Sequence, residues 1–339
     1  MPFFMEFLNE EADSSLFVYH SSLGTVYLLL YVDDMVITGS NPSMIQSIIT
    51  RLSKEFSMKD LGDIHYFLDV EVQANEKGLS LSQTKYALDL LQRASMLDAK
   101  PISTPFFVAA LQYLIITRPD LSFGVNSICQ FMHALIEDHF CVLKRILRYV
   151  KGTPHYGLQL HKQSIRDLLA YSDADWARCP DIRRFTTGYA IFFGANLVYW
   201  SSKKQSIVSH SSAKVEYRSL AVATTNIAWI IQLFRDLHVT PSALPKILCD
   251  NKSAIFMVVN PVTRPRSKHI AIDYHFFREL VANGTLKVEF VLSHLQLADS
   301  LTKGITKPQF FLFQSKLSVT PSNMLNLKGG DKEEAYDPP

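Results

Sequence analysis

The chain has 339 residues, of which 47% are hydrophobic and 12% aromatic, and its formal net charge is +2. This composition excludes a broadly disordered protein, and the length is sufficient for one or two hydrophobic cores. The four cysteines form no C-x-x-C pair, which argues against a zinc knuckle or a disulfide framework. The longest apolar run, Val26 to Val32, is too short to span a bilayer, and the N-terminus lacks the basic start of a secretory signal. We therefore expect a cytoplasmic or nuclear protein that is neither secreted nor membrane-spanning.

The first half of the chain predicts a β-hairpin over residues 16–38, with the adjacent acids Asp33 and Asp34 at its bend. Further elements are predicted, in chain order, as a helix at 42–56, strands at 64–72 and 79–82, and helices at 86–97, 120–133 and 137–151. The last helix carries Lys144, Arg148 and Lys151 on one side. This pattern is typical of a solvated face and, about as often, of a nucleic-acid surface.

The second half predicts the order β-β-β-α-β-α-α-β-α, which is typical of a mixed α/β fold with helices on the faces of a five-stranded sheet. Strands are predicted at 168–174, 188–193, 197–201, 246–249 and 286–292, and helices at 211–238, 251–259, 270–282 and 307–317. The polar stretch 161–167 indicates a domain boundary. The acidic segment 320–339 contains Gly and Pro and predicts a disordered tail.

Four acids of the second half lie at element ends or on a core-facing helix position. Asp173 and Asp250 end two strands, Glu216 lies one turn into the long helix, and Asp299 opens a short helix. Acids delivered to the crevice beyond the strand ends can converge on one site. Converging carboxylates suit two Mg²⁺ or Mn²⁺ ions, which at roughly 3.5–4 Å from each other activate water for phosphodiester hydrolysis. Taken singly, each acid is more often a capping or solubilising group.

The sequence around these acids resembles the ribonuclease H domain of copia-type LTR retrotransposon Pol polyproteins. The matching words, in the same order as in that family, are Tyr171-Ser-Asp-Ala-Asp-Trp, Arg184-Phe-Thr-Thr-Gly-Tyr, Trp200-Ser-Ser-Lys-Lys-Gln, Ser211-Ser-Ala-Lys-Val-Glu-Tyr, Leu248-Cys-Asp-Asn, Lys268-His-Ile-Ala-Ile-Asp-Tyr-His and Leu297-Ala-Asp-Ser-Leu-Thr-Lys. The resemblance implies a ribonuclease H-like fold that cleaves the RNA strand of RNA–DNA hybrids. It places the metal-binding, catalytic acids on Asp173, Glu216, Asp250 and Asp299.

The same resemblance implies roles for several neighbouring residues. Lys214 stands where the family has an acid, and its spacing from Glu216 predicts that it points away from the metal site. His294 is a candidate for assisting product release, with a plain surface histidine as the more frequent alternative. Trp176 is expected in the core. Candidate phosphate contacts, each of which is as readily part of a solvated face, are Lys203, Lys204, Arg266 and Lys268.

The first half resembles the reverse transcriptase of the same family. Tyr31-Val-Asp33-Asp34 is similar to its Y-x-D-D hairpin, and Thr117-Arg-Pro-Asp-Leu and Lys144-Arg-Ile-Leu-Arg-Tyr-Val-Lys match downstream words. The resemblance implies a truncated reverse transcriptase over 1–160, with an internal deletion at 105–111, followed by a ribonuclease H-like domain over 167–319. Polymerase chemistry needs a further carboxylate from an earlier strand, so we expect Asp33 and Asp34 to be a polymerase remnant without activity.

Three functions are consistent with these patterns. The leading one is a retrotransposon-derived Pol fragment that hydrolyses RNA in RNA–DNA hybrids with Mg²⁺. The alternative is a degenerate, non-catalytic copy of the element that at most binds nucleic acid. A general α/β hydrolase of small phosphoesters is disfavoured, because the sequence has no phosphate-cradling Gly-rich loop and no G-x-S-x-G motif.

Overall fold

The computed structural model describes residues 8–9, 13–94, 105–132, 136–162, 165–176, 184–208, 211–260 and 268–322. The strands are β1 (Leu8–Asn9), β2 (Leu16–Ser21), β3 (Gly24–Tyr31), β4 (Asp34–Gly39), β5 (Tyr66–Phe67), β6 (Val70–Asn75), β7 (Gly78–Ser82), β8 (Tyr156–His161), β9 (Leu168–Asp175), β10 (Arg184–Phe193), β11 (Asn196–Val208), β12 (Lys246–Cys249), β13 (Lys287–Phe290) and β14 (Val319–Pro321). The helices are α1 (Pro42–Glu55), α2 (Thr84–Ala94), α3 (Pro105–Leu114), α4 (Ser122–Cys129), α5 (Glu137–Gly152), α6 (Ser212–Asp236), α7 (Lys252–Val259), α8 (Lys268–Ala282), α9 (Asp299–Thr302) and α10 (Lys307–Lys316).

The central sheet has the strand order β11-β10-β9-β12-β13. Strands β9, β10 and β11 are antiparallel neighbours, whereas β12 runs parallel to both β9 and β13. This is the predicted mixed five-stranded sheet with a ribonuclease H-like arrangement, so the fold class is confirmed. Because β9 and β12 run in the same direction, both deliver the residues at their carboxyl ends to one edge of the sheet.

Both faces of the central sheet are covered, which explains the nearly continuous apolar sequence of its middle strand. Along β10, Tyr189 and Ile191 pack into a core formed with α6, α7 and α8, while Ala190 and Phe192 face a second core that includes Phe313 of α10. Side chains alternate between the faces of a strand, so every residue of this stretch is apolar and buried.

A second sheet has the order β14-β8-β7-β6-β5, and all of its pairings are antiparallel. It joins β8 from one half of the chain to β14 from the other, across the predicted boundary at residues 161–167. The division at that boundary remains a prediction. The predicted tail is corrected at its start, because Thr320 and Pro321 pair with Gly157 and Tyr156; residues 323–339 lie outside the described residues.

Helices α2 to α5 pack around a separate core that contains Leu90, Leu111, Val125 and Leu147. The predicted deletion at 105–111 falls in α3, which buries Val108 and Leu111 fully in this core. The sequence predicted an internal deletion at 105–111 and did not predict a helix there. Pro105 is the first residue of the helix, a position where proline is well tolerated because its missing N–H has no helical partner.

The N-terminal sheet has the order β1-β2-β3-β4 and packs against α1 through Val26, Leu28, Ile48 and Leu52. The predicted hairpin is therefore confirmed as part of a four-stranded antiparallel sheet. Its turn residue Val32 has a φ of 50°, a left-handed conformation that is costly for a β-branched side chain.

Candidate active site

The candidate site begins at the carboxyl end of β9. Asp173 is 2% exposed and pairs across the sheet with Gly188 of β10. A Cβ atom at Gly188 would lie 2.6 Å from Cγ2 of Thr302 and 2.8 Å from Cβ of Leu301. Glycine at this position therefore allows α9 to approach the strand closely, which brings Asp299 to the same end of the sheet as Asp173.

Helix α6 carries Glu216 across the end of β9. The Ser219 hydroxyl donates to the backbone oxygen of Asp173 at 2.8 Å, and the Ser172 hydroxyl donates to that of Ser219 at 2.9 Å. Ser219 and Glu216 are three residues apart and lie on the same side of the helix. These two buried hydrogen bonds fix the position of α6 along β9, so that the Glu216 carboxylate lies at the same strand end as Asp173.

Asp250 follows β12 directly and is half-buried. A carboxylate oxygen of Asp250, one of Glu216 and the Cys249 sulfur lie within 4.8 Å of one another. The Asn251 side chain accepts a hydrogen bond from the Ala254 backbone N–H at 3.0 Å and begins α7. The abrupt change from strand to capped helix leaves Asp250 in the bend, with its side chain at the sheet edge.

Asp299 is the first residue of α9, and two residues that sequence reasoning did not single out complete its surroundings. The Lys303 ammonium lies 2.7 Å from Oδ1 of Asp299 and 3.8 Å from Oδ1 of Asp173. The Thr302 hydroxyl donates to Oδ2 of Asp173. Upstream, Gln296 donates to the Ser172 backbone oxygen at 3.0 Å and ties this segment to β9. Thr302 and Lys303, the two residues that were missed, lie in the same Leu297-to-Lys303 motif that identified Asp299.

The four acids interact electrostatically. Burial and the nearby charges of Asp173, Asp250 and Asp299 raise the pKa of Glu216 to about 10. Burial and the charge of Asp173 raise the pKa of Asp299 to about 7, against the opposing effect of Lys303. The pKa of Asp173 is also raised, chiefly by burial. Burial and the neighbouring carboxylates likewise raise the pKa of the Cys249 thiol.

These side chains fit a divalent cation. Oε2 of Glu216 is buried and has no hydrogen-bond partner among the residues that the structure describes, although the residue as a whole is 7% exposed. A buried, unpaired carboxylate oxygen is costly unless something neutralises it. Lys303 supplies one positive charge for Asp173 and Asp299. The donor set of four carboxylates consists of hard oxygens, the ligand type that Mg²⁺ and Mn²⁺ prefer.

The other residues singled out around the acids occupy different settings. Lys214 is exposed while Glu216 is buried, which agrees with the prediction that it points away from the site. His294 is exposed, in a short 3₁₀ turn at Ser293–Leu295; its role in product release stays a prediction. Trp176 is 47% exposed, so the expectation that it lies in the core is wrong. It follows the last residue of β9 and leaves the sheet there.

The basic candidates are only partly grouped. Lys144, Arg148 and Lys151 form one exposed face of α5, opposite the buried residues Leu143 and Leu147. Lys203 on β11 is exposed, whereas the Lys204 ammonium donates to Oε1 of Gln130 at 2.6 Å. Arg266 and the side chain of Lys268 lie outside the described residues.

Asp33 and Asp34 lie at the tip of the β3–β4 hairpin and are exposed. Within the described part of the chain, a group of three metal-ligating side chains occurs at Glu216, Cys249 and Asp250 and not at this hairpin. The two groups of acids thus differ in setting: the pair Asp33 and Asp34 is at a solvent-exposed turn, whereas the four acids of the candidate site lie between the sheet and the helices.

Comparison with known proteins identifies the family. Residues 3–108 match the family described as reverse transcriptase (RNA-dependent DNA polymerase). The chain is 44% identical over 336 residues to the retrovirus-related Pol polyprotein from transposon RE1 of Arabidopsis thaliana, covering 93% of this chain and 23% of that protein. It is also 47% identical over 225 residues to an uncharacterized mitochondrial protein of Arabidopsis thaliana, covering 60% of this chain and 94% of the relative. The chain belongs to the copia-type retrotransposon Pol family.

This Pol chain spans about a quarter of the length of its transposon relative. Among solved structures, LC11-RNase H1 in complex with an RNA/DNA hybrid matches 40% of the Pol chain and 94% of that protein, with 17% identity and a TM-score of 0.31. The strand order and directions of the central sheet, rather than this superposition, carry the fold assignment. None of the described helices is both long and apolar enough to cross a membrane.

Proposed function

We propose that this Pol chain hydrolyses the RNA strand of RNA–DNA hybrids in a Mg²⁺-dependent reaction at the four-carboxylate site. The observation that carries the proposal is the convergence of Asp173, Glu216, Asp250 and Asp299 at one end of the central sheet, with a buried Glu216 oxygen that has no hydrogen-bond partner in the part of the chain that the structure describes. Burial and neighbouring carboxylates raise the pKa values of Asp173, Glu216 and Asp299, which indicates a site built to be neutralised by cations.

In the proposed reaction, Asp173 and Asp250 contribute to the binding of two ions, and Glu216 and Asp299 each complete the ligand set of one. Bound divalent ions supply a water nucleophile and neutralise the charge that develops on the phosphate. Thr302 and Lys303 hold the Asp173 and Asp299 carboxylates in place through the contacts described above. Leu297 and Leu301, which lie on either side of Asp299 along the chain, are buried in the adjacent core.

Nucleic-acid binding is part of the proposal. The exposed face formed by Lys144, Arg148 and Lys151 and the exposed Lys203 are candidate contacts for the phosphate backbone of the hybrid. Replacing Arg148 with alanine should then weaken binding to all sequences alike and reduce the slope of log K against log salt by roughly 1. An unchanged slope would show that this face of α5 does not contact the backbone.

The proposal assigns no polymerase activity to the chain. Its Asp33–Asp34 pair is exposed on a hairpin, and the described residues supply no third metal-ligating side chain beside it. Template-dependent incorporation of nucleotides by the purified chain, above the level given by an Asp33→Asn, Asp34→Asn double variant, would contradict this assignment.

The decisive experiment is cleavage of a labelled RNA–DNA hybrid by the whole chain, with Mg²⁺ and with a chelator. Wild type should cleave the RNA strand only with Mg²⁺, and Asp250→Asn should lose at least about 100-fold in rate, since one ligand of both ions is removed. Glu289→Gln is a matched control, because Glu289 is an acid on β13 that pairs with Lys246 and Lys287 and lies outside the site.

The degenerate, non-catalytic alternative makes a different prediction for the same samples. A folded chain that binds the hybrid in a salt-dependent way, yet shows no Mg²⁺-dependent cleavage, would favour it over the proposed nuclease. Equal cleavage by wild type and Asp250→Asn would instead point to a contaminating nuclease and reject the proposal for this site.

A further inference from the structure

A cysteine lies among the oxygen ligands of the candidate site. Cys249 is the last residue of β12 and is fully buried, and its sulfur lies within 4.8 Å of a carboxylate oxygen of Glu216 and one of Asp250. The Asn251 backbone N–H donates to this sulfur at 3.4 Å, which fixes its position at the strand end. The same N–H stabilises a thiolate more than a thiol, because it directs positive partial charge at the sulfur.

An independent observation points to a ligand at the same place. Glu216 is more than nine-tenths buried, and its Oε2 atom has no hydrogen-bond partner among the described residues. The Lys303 ammonium contacts Asp299 and Asp173 instead. Its charge opposes the rise in the pKa of Glu216 without an ion pair to that residue. Within the described part of the chain, the group of Glu216, Cys249 and Asp250 therefore has no cation in direct contact with the Glu216 carboxylate.

The chemistry of this group differs from that of the four acids. Mg²⁺ takes oxygen ligands in near-octahedral geometry and gains little from sulfur, whereas Zn²⁺ and Cd²⁺ bind thiolate well. Two carboxylates and one thiolate make a three-ligand set with an open fourth position for water. Ligand atoms on one tetrahedral Zn²⁺ lie about 3.4–3.6 Å apart, so a group whose atoms lie within 4.8 Å of one another needs to contract by at most about 1.4 Å.

We propose that Glu216, Cys249 and Asp250 form a binding site for a thiophilic divalent cation, Zn²⁺ in the first instance. Binding forms a metal–sulfur bond and releases the thiol proton to solvent, with no change of oxidation state. Since this ion takes Glu216 and Asp250, it excludes Mg²⁺ from those two ligands. This competition, unlike the binding itself, rests on the proposed nuclease site, and it makes the thiophilic ion an inhibitor of hybrid cleavage.

Cadmium is the probe, because its bond to a thiolate has an ultraviolet charge-transfer band. The starting protein is the whole chain with Cys129, Cys141 and Cys179 changed to serine, so that Cys249 is its single thiol. Titration with Cd²⁺ should produce the band with one equivalent per chain. In the same background, Cys249→Ala should abolish the band, and Glu216→Gln should weaken Cd²⁺ binding at least tenfold.

Two outcomes would overturn the proposal. The first is the absence of a charge-transfer band in the single-thiol protein. The second is an unchanged Cd²⁺ affinity in Glu216→Gln, which would show that the thiol binds Cd²⁺ without the Glu216 carboxylate. Far-ultraviolet circular dichroism identifies variants that fail to fold. Glu216→Gln retains the thiol and removes only one oxygen ligand, so it tests the site even where Cys249→Ala unfolds the chain.

The competition is tested separately by repeating the titration with Mg²⁺ in excess. We expect Mg²⁺ to raise the Cd²⁺ concentration needed for half of the band, and Zn²⁺ to suppress hybrid cleavage in wild type more strongly than in Cys249→Ala. A normal cadmium band in a chain that never cleaves hybrid keeps the thiophilic site and rejects the nuclease. Cleavage of the hybrid by a chain that gives no cadmium band would keep the nuclease and reject the thiophilic site.

Discussion

Burial of Glu216 beside three other acids predicts that, without metal and at neutral pH, the Glu216→Gln variant is more stable than wild type. The glutamate is 7% exposed, and one of its oxygens has no hydrogen-bond partner within the described residues. Its pKa rises from 4.5 to about 10 through burial and repulsion by Asp173 and Asp250. At pH 7 the folded chain therefore keeps a proton on this carboxyl that the unfolded chain has released.

The size of the effect follows from the difference in protonation. Stability that depends on this proton is fully present below pH 4.5 and is lost as the pH rises towards 10. Between pH 4.5 and pH 7 the folded chain loses roughly 3 kcal/mol of stability, at about 1.4 kcal/mol for each pH unit. The stability lost at pH 7 is set by the solution pH rather than by the pKa of the folded state, because the Glu216 carboxyl of the folded chain stays protonated throughout this range. Neighbouring acids share the proton, so this figure is an upper bound.

Glutamine has the shape of the protonated side chain and cannot ionise. We expect Glu216→Gln to match wild type near pH 4.5 and to exceed it by about 2–3 kcal/mol at pH 7 in the presence of a chelator. The measurement is the free energy of unfolding by urea across this pH range, with Glu289→Gln as a control on an acid outside the site. Parallel pH profiles for wild type and Glu216→Gln would refute the reasoning.

Mg²⁺ should reverse the order of stability. Wild type gains stability with Mg²⁺ because the ion binds the folded site and not the unfolded chain, whereas Glu216→Gln lacks one ligand and should gain little. If both proteins respond equally to Mg²⁺, the ion binds elsewhere, and Glu216 is an acid buried for some other reason.

Three further variants test the surroundings of the site and the joint between the two halves. Lys303→Met should lower the stability of the metal-free chain by about 1–2 kcal/mol, because two buried carboxylates lose their cation, and should raise its stabilisation by Mg²⁺; both are read from thermal unfolding with and without chelator. Gly188→Ala should cost about 1–3 kcal/mol and weaken Mg²⁺ binding, since the new methyl group on β10 pushes Thr302 and its helix away from the sheet and from Asp173; retention of wild-type Mg²⁺ affinity would contradict this. Asp120→Asn should cost about 3–5 kcal/mol in urea unfolding, because it leaves the Arg118 guanidinium buried without its counter-ion; a loss below about 1 kcal/mol would show that water reaches the pair.

The central sheet and its helices were predictable from the sequence because their apolar periods are long and are interrupted by turn residues. The hairpin around Gly194 and the α6 helix illustrate this, as both have clear spacing. The segments that were missed are short or ambiguous. Strand β14 has three residues and ends at Pro321, and it becomes a strand only because β8 offers a partner. A pairing of this kind depends on the tertiary fold and leaves no periodicity of its own.

The acids of the candidate site could be predicted from the sequence motifs that surround them. Their convergence depends on the parallel course of β9 and β12. The contribution of Lys303 could not be read from the sequence in the same way. A lysine four residues after Asp299 predicts a surface ion pair on a helix. Here the ammonium also approaches Asp173, because the close contact at Gly188 brings α9 against the sheet.

The two halves of the chain are joined by more than the connection at residues 161–167. Arg118 is almost completely buried and forms a two-point ion pair with Asp120, whose carboxylate also accepts hydrogen bonds from Tyr149 at 2.6 Å and from Gln314 of α10 at 3.3 Å. Gln314 donates to the Tyr149 hydroxyl as well, at 2.6 Å. A buried network of this kind holds α10 against α5, in the other half of the chain.

Helix α10 follows shortly after α9, which carries Asp299, so this network lies one short segment away from the candidate site. The pairing of β14 with β8 anchors the other end of α10. A shortened chain that begins at residue 167 would lack Arg118, Asp120, Tyr149 and β8 together, and would lose Leu158 from the core that contains Phe313. Because Gln314 and β14 then have no partners in the first half, we expect α10 and the neighbouring segment with Asp299 to be held less firmly than in the whole chain. For this reason the reverse transcriptase-like half supports the position of the candidate site, and the proposed hybrid cleavage is best measured on the whole chain.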